Sequence, residues 1–228
     1  MSYTLGFLAV LMSGVVWWLV KQTVNQTPWA ASGSSESVRS EGVRSPLTDL
    51  PLVTTKLALG VFLAVVTSLF ALFISAYSIR MEYGDWRPMP EPILLWINSG
   101  MLVLSSVFLQ HAWNSAKRGN HKAVKIGIIG GASLALAFVI GQLLAWQQLT
   151  ATGYAIADNP ANAFFYTLTG IHALHLAGGL VALVKTIRRT WHSDPNPDAI
   201  RLGVELCTVY WHYLLAVWVI LFSFMLTT

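Results

Sequence analysis

Five ionisable residues lie inside stretches that are otherwise apolar: His111, His172, His175, Glu205 and His212. Their types are those that ligate metals, carry protons or tie buried helices together. An ionisable group in hydrocarbon is costly, so each needs a role and a partner. His172 and His175 are three residues apart and, on a helix, share a face with Thr169 and Gly179. Glu205 and His212 are seven apart, two turns along one face. Neither face suits lipid. The simplest arrangement turns the two faces toward each other or toward a neighbouring helix, and Gly170, Ala173, Gly178 and Gly179 permit close backbone approach there.

Three chemistries compete for this cluster. His172, His175, His212 and Glu205 are numerically sufficient to hold iron, copper or zinc, although an i,i+3 pair is not the i,i+4 spacing of the helical zinc motif. Two histidines from different helices can also ligate a haem. The third reading is a buried polar network that fixes helix register, with Glu205 held by His, Trp or Tyr donors. A further polar face, Asn98, Ser105 and Ser106 with Gln110 beyond it, fits interhelical hydrogen bonds worth about 1 kcal/mol each. A solute pathway is the alternative there, but it lacks a charge at its centre.

These residues must be positioned by membrane helices. Hydrophobic types make up 55 % of the 228 residues and charged types only 11 %, with a mean hydropathy of +0.58. The charges are bunched, and nothing is charged between Lys56 and Arg80, Glu91 and Lys117, Lys125 and Asp158, or Asp158 and Lys185. A span needs about 20 apolar residues, and no alternation suggests barrel strands. The composition excludes a secreted, nucleic-acid-binding or disulfide-stapled protein. The expected fold is all-α: a polytopic membrane helix bundle of six transmembrane helices at about 3–20, 57–79, 93–115, 124–147, 163–184 and 204–226. The first segment has no Lys or Arg before its apolar run, so an anchor within 1–26 is expected rather than a cleaved leader. Residues 27–55, with Ser, Gly and Pro beside Glu36, Arg39, Glu41 and Arg44, form a polar cytoplasmic linker to a five-helix domain over 56–228.

Loops 21–56, 117–125 and 185–201 each hold four Lys or Arg, twelve in all, against Arg80 and Arg87 on the other side. That asymmetry puts the three loops in the cytoplasm and both termini in the periplasm. The pI near 9.3 is thus a topology signal. The lone Cys207 falls in an apolar segment and reads as a small packing residue. Trp17, Trp18, Trp86, Trp113, Trp146 and Trp191 fall toward span ends as interfacial anchors, while Trp211 and Trp218 read as packing residues.

Several ordered segments resemble subunit III of the haem–copper terminal oxidases, the cytochrome c oxidase type. Phe165 to Gly179 is similar to the family's FYxLTGxHxxHxxxG stretch. Glu205 followed by Tyr210, Trp211, His212, Tyr213 and Trp218 is similar to its E…YWHF…W helix. Pro92, Leu95, Trp96, Ile97 and Asn98, then Leu104, Ser105 and Ser106, resemble its PxxLWxNTxxLxxSS helix, and Phe138, Gln142 and Trp146 fit the helix between. The resemblance covers about residues 56–226. It implies a multi-pass bacterial inner-membrane subunit of an aerobic respiratory chain, with no catalytic centre, cofactor or metal on this chain. Haem and copper are expected in the partner catalytic subunit I, with subunit II in the same complex. The implied role is to support assembly, hold phospholipid and sustain proton uptake. His172, His175, Glu205, Trp211, His212, Asn98, Ser105 and Ser106 are then a buried structural network. The family's membrane carboxylates are replaced by Val66, Ala145 and Leu215, which weighs against a proton-collecting role. Accessory subunits of quinol oxidases and nitric oxide reductases stay open beside this reading, and a haem b anchor or transporter stands further off.

Overall fold

In lipid, each span must close its own backbone hydrogen bonds. The computed structural model meets this with helices alone: the described residues are 46–86, 93–154, 156, 159–191 and 197–226, and no strand occurs among them. Five helices follow in order: α1 (Pro46–Arg80), α2 (Ile93–Lys117), α3 (His121–Ala151), α4 (Pro160–Trp191) and α5 (Pro197–Leu226). All five are long and apolar enough to cross a membrane. Even the 25-residue α2 exceeds the hydrocarbon thickness, at about 1.5 Å per residue against roughly 30 Å.

Each of the five spans expected between 57 and 226 falls within one helix. The expected span 3–20 and most of the expected linker, 27–45, lie outside the described residues. At α1 the boundary differs, because the helix begins at Pro46 and residues 46–55 are helical rather than irregular. Hydropathy marks only the part of a helix that needs lipid, whereas the backbone ladder continues into the interface. Proline suits the first helical turn, where its missing N–H would have had no helical partner; α4 and α5 also open on proline, at Pro160 and Pro197.

The chain divides into two compact units, Met1–Thr67 and Ser68–Thr228, with the boundary inside α1. In the first, Thr67 Oγ1 donates to Leu63 O at 2.8 Å, within its own helix. In the second, α2 and α3 form a tight antiparallel hairpin. Gly119 turns the chain with φ of 70°, and Asn120 caps α3 by accepting from Ala123 N–H at 3.2 Å. Close approach of the two helices depends on small residues. A Cβ on Gly127 would lie 2.7 Å from Ala112 Cβ, one on Gly131 would lie 2.7 Å from Leu109 Cγ, and one on Gly141 would run into Asn98 Oδ1.

At the end of the bundle carrying Arg80, Tyr77 gathers Trp86 (4.7 Å), Phe224 (4.8 Å) and Phe164 (5.4 Å), all edge-on. This cluster joins the end of α1 and its following turn to α4 and α5. Arg80 grips Asp85 with two hydrogen bonds, 2.7 and 2.5 Å. Hydrogen bonding from that guanidinium holds the Asp85 carboxyl below its ordinary pKa. At the opposite end, Lys117 Nζ sits 3.3 Å from the centroid of Trp113, and Lys125 Nζ lies 5.0 Å from that of Trp191. These pairs fit tryptophan anchors at a water–lipid boundary.

Gly127→Ala should destabilise the bundle by about 1–3 kcal/mol, because the added methyl meets Ala112 backbone atoms as well as its side chain. Gly100→Ala, where nothing lies within 4 Å, should be neutral or slightly stabilising. Thermal unfolding of the two variants in the same detergent checks the contrast.

Candidate functional site

The core face of α4 recurs at three- and four-residue steps: Phe165, Leu168, Thr169, His172, Leu176, Gly179 and Leu183 are buried. His172 sits at its centre with no exposed surface. Three aromatic rings from three other helices surround the imidazole. Trp218 of α5 lies tilted at 5.3 Å, Phe138 of α3 stands edge-on at 6.2 Å, and Phe70 of α1 stands edge-on at 6.4 Å. Neither ring nitrogen of His172 makes a hydrogen bond. The pairing between Glu205 and His172 that the two helix faces allow is therefore not formed, and Glu205 lies half-buried on α5.

The other two central histidines are committed to their own helices. His175, half-buried, donates from Nδ1 to Ile171 O at 2.8 Å, and His212 donates from Nδ1 to Thr208 O at 2.8 Å. A carbonyl only accepts, so Nδ1 carries the proton in both. Phe70 also packs on His175, at 5.7 Å. His111 is exposed near the end of α2. Among the described residues, no three or more His, Cys, Asp or Glu gather closely enough to hold a metal ion.

Bonds between helices fall largely on hydroxyl and indole groups. Ser105 Oγ donates to Gly131 O at 2.8 Å, joining α2 to α3. Tyr210 Oη donates to His175 O at 2.9 Å, joining α5 to α4. Thr208 Oγ1 reaches Leu109 O at 3.2 Å as well as Val204 O at 2.8 Å. Trp218 Nε1 donates to Ser99 Oγ at 2.8 Å, and Trp146 Nε1 donates to Thr169 Oγ1 at 3.2 Å. Trp146 is thus a tie between helices as well as a residue near a span end. Cys207 is buried, with Sγ 3.4 Å from Thr186 Oγ1.

Asn98, Ser106 and Trp211 are buried on the core side, but Asn98 Oδ1 and Nδ2, Ser106 Oγ and Trp211 Nε1 have no partner. Trp211 packs instead against the bare backbone of Gly179, where a Cβ would lie 2.8 Å from the indole. Sequence reasoning missed Ser99, Thr208 and the donor role of Trp218. A hydroxyl in an apolar helix was the available signal, but sequence does not state which turn of which neighbour it meets. Val66 and Ala145, where the resembling family has carboxylates, are both buried, and Leu215 is half-buried.

Removing the indole donor with Trp218→Phe should cost about 1 kcal/mol beyond lost packing, and Ser99→Ala should remove the same term. A double-mutant cycle read by thermal unfolding should give a coupling of about that size.

Comparison with known proteins adds a lineage to this geometry. The profile of a family described as Cytochrome c oxidase subunit III matches residues 2–227. A protein described as probable cytochrome c oxidase subunit 3 from Mycobacterium tuberculosis (strain H37Rv) is 28 % identical over 195 residues, covering 84 % of this chain and 94 % of its own. The corresponding protein of Mycobacterium leprae is 30 % identical over 162 residues, covering 68 % and 76 %. Cytochrome c oxidase subunit 3 of Synechocystis is 29 % identical over 167 residues, covering 71 % and 70 %.

Proposed function

Since this chain belongs to the cytochrome c oxidase subunit III family, we propose that it is the non-catalytic brace of its oxidase complex, packed against the haem- and copper-bearing catalytic subunit I with subunit II alongside. The chain is a multi-pass inner-membrane protein that serves as subunit III of an oxidase complex. The finer reading concerns what it contributes. One observation carries it: His172 is closed in by Trp218, Phe138 and Phe70, while His175 and His212 each spend Nδ1 on their own helix. Those contacts fix the orientation of the three rings within the bundle, which suits a bracing role. The complex it supports passes electrons from cytochrome c to oxygen.

Hydrocarbon side chains at Val66, Ala145 and Leu215 favour a support role over proton collection through those positions. The positive-inside balance supports cytoplasmic loops at 117–125 and 185–201 with both termini periplasmic. The apolar outer faces of the helices, such as Leu174, Val181 and Leu136, suit contact with phospholipid chains and with subunit I. In this reading the set His172, His175, Glu205, Trp211, His212, Asn98, Ser105 and Ser106 is structural: Ser105, His175 and His212 bond to main-chain carbonyls, while His172 and Trp211 act by packing.

Native purification followed by mass spectrometry and an optical spectrum tests the proposal. This chain should copurify with a large haem-containing subunit, and the haem absorbance should stay with that subunit when the complex is split. A stable solitary protein, or a haem band on this chain that His172→Ala or His212→Ala abolishes, would overturn it. Glu205→Ala should lower the yield of assembled complex more than it lowers oxygen consumption per haem. Native gels and an oxygen electrode provide the two readings.

A further inference from the structure

Contacts between helices place several polar side chains at one depth of the bundle. Asn98 lies against Gly141, and its neighbour Ser99 accepts from Trp218 Nε1. Trp218 packs on Phe138 at 5.0 Å and on His172 at 5.3 Å. Phe138, Gly141 and Gln142 lie on one buried face of α3. Asn98, Gln142 and His172 therefore enter the same layer from α2, α3 and α4, with Trp218 of α5 as its wall. All three are at most 2 % exposed.

None of the three is hydrogen-bonded. Asn98 Oδ1 and Nδ2, Gln142 Oε1 and Nε2, and His172 Nδ1 and Nε2 are buried without a partner, in contrast to the committed imidazoles of His175 and His212. Each amide offers an acceptor oxygen and a donor NH2, and a neutral imidazole offers one donor and one acceptor. The set is uncharged and mixed in polarity, so it does not select an anion or a cation. Phe138 and Trp218 pack closely on each other and on His172, which suits only something very small. A small neutral molecule that both donates and accepts is water. Buried waters occur about once per 27 residues and make about three bonds to groups that would otherwise be orphaned.

We propose that Asn98, Gln142 and His172 form an internal hydration site that holds ordered water between α2, α3 and α4, away from any lipid-facing surface. The site stands on this geometry and is independent of the oxidase reading. X-ray-generated hydroxyl radicals label side chains beside bound water, and H2(18)O identifies solvent as the source of the oxygen. The experiment is run on the full chain in isolated native membranes. Phe138 and Trp218 should be labelled several-fold faster than Phe165 and Tyr213, residues of like chemistry that are equally buried. In Gln142→Met, which keeps the side-chain length, labelling at Phe138 and Trp218 should fall toward those controls. Equal labelling of the two pairs in the wild-type chain, or an unchanged rate in Gln142→Met, would overturn the proposal. If that variant does not accumulate in membranes, the wild-type contrast decides alone.

Discussion

Hydrocarbon offers no hydrogen-bond partner, and this single constraint organises the bundle. A polar side chain within a span must bond to its own helix, reach a neighbouring helix, or be enclosed. All three solutions occur within a few turns of one another. His175 and His212 bond to their own carbonyls, Ser105 and Tyr210 reach across, and His172 is enclosed by aromatic rings. Reaching across requires helices to be close, which is where Gly131 and Gly179 enter. The polar bonds and the small residues are therefore two halves of one device. Bonds of this kind add only about 1 kcal/mol each, so they select a register that close packing stabilises.

Much of this architecture can be read from residue order alone. The apolar runs between charges locate the five described spans because hydropathy measures the same transfer that drives burial. The step from Thr169 to His172 to Gly179 identifies the inward face of α4, since helical geometry relates positions within one element. Relations between elements are less legible. That Ser105 meets Gly131 and Trp218 meets Ser99 depends on axial offset between helices, which no local pattern encodes. The faces of α4 and α5 likewise share a bundle without His172 bonding to Glu205: two faces can meet without every polar group on them meeting. The start of α1 at Pro46 was obscured because a helix continues into water without an apolar signature.

The proposed accessory role accords with how these side chains are held. Imidazole and carboxylate groups are versatile when a lone pair is free to face a ligand. Here Nδ1 of His175 and of His212 is bonded to a carbonyl of its own helix, and the His172 ring is packed against Trp218, Phe138 and Phe70, so all three rings are held in place by the bundle. Membership of the subunit III family gives those arrangements a setting, an oxidase complex in a membrane. Val66, Ala145 and Leu215 fit the proposed support role, because each offers only hydrocarbon.

Tyr210, Ser105 and Thr208 share one property: each donates to a main-chain carbonyl of another helix, at His175, Gly131 and Leu109 respectively. The accepting half of each bond is thus common to all amino acids. Evolutionary drift at His175 or Leu109 leaves the acceptor in place, whereas drift at the donor erases the tie. Substitution tolerance across these helix pairs should be lopsided, with hydroxyl-bearing positions held fast while the residues that receive them are freer to change.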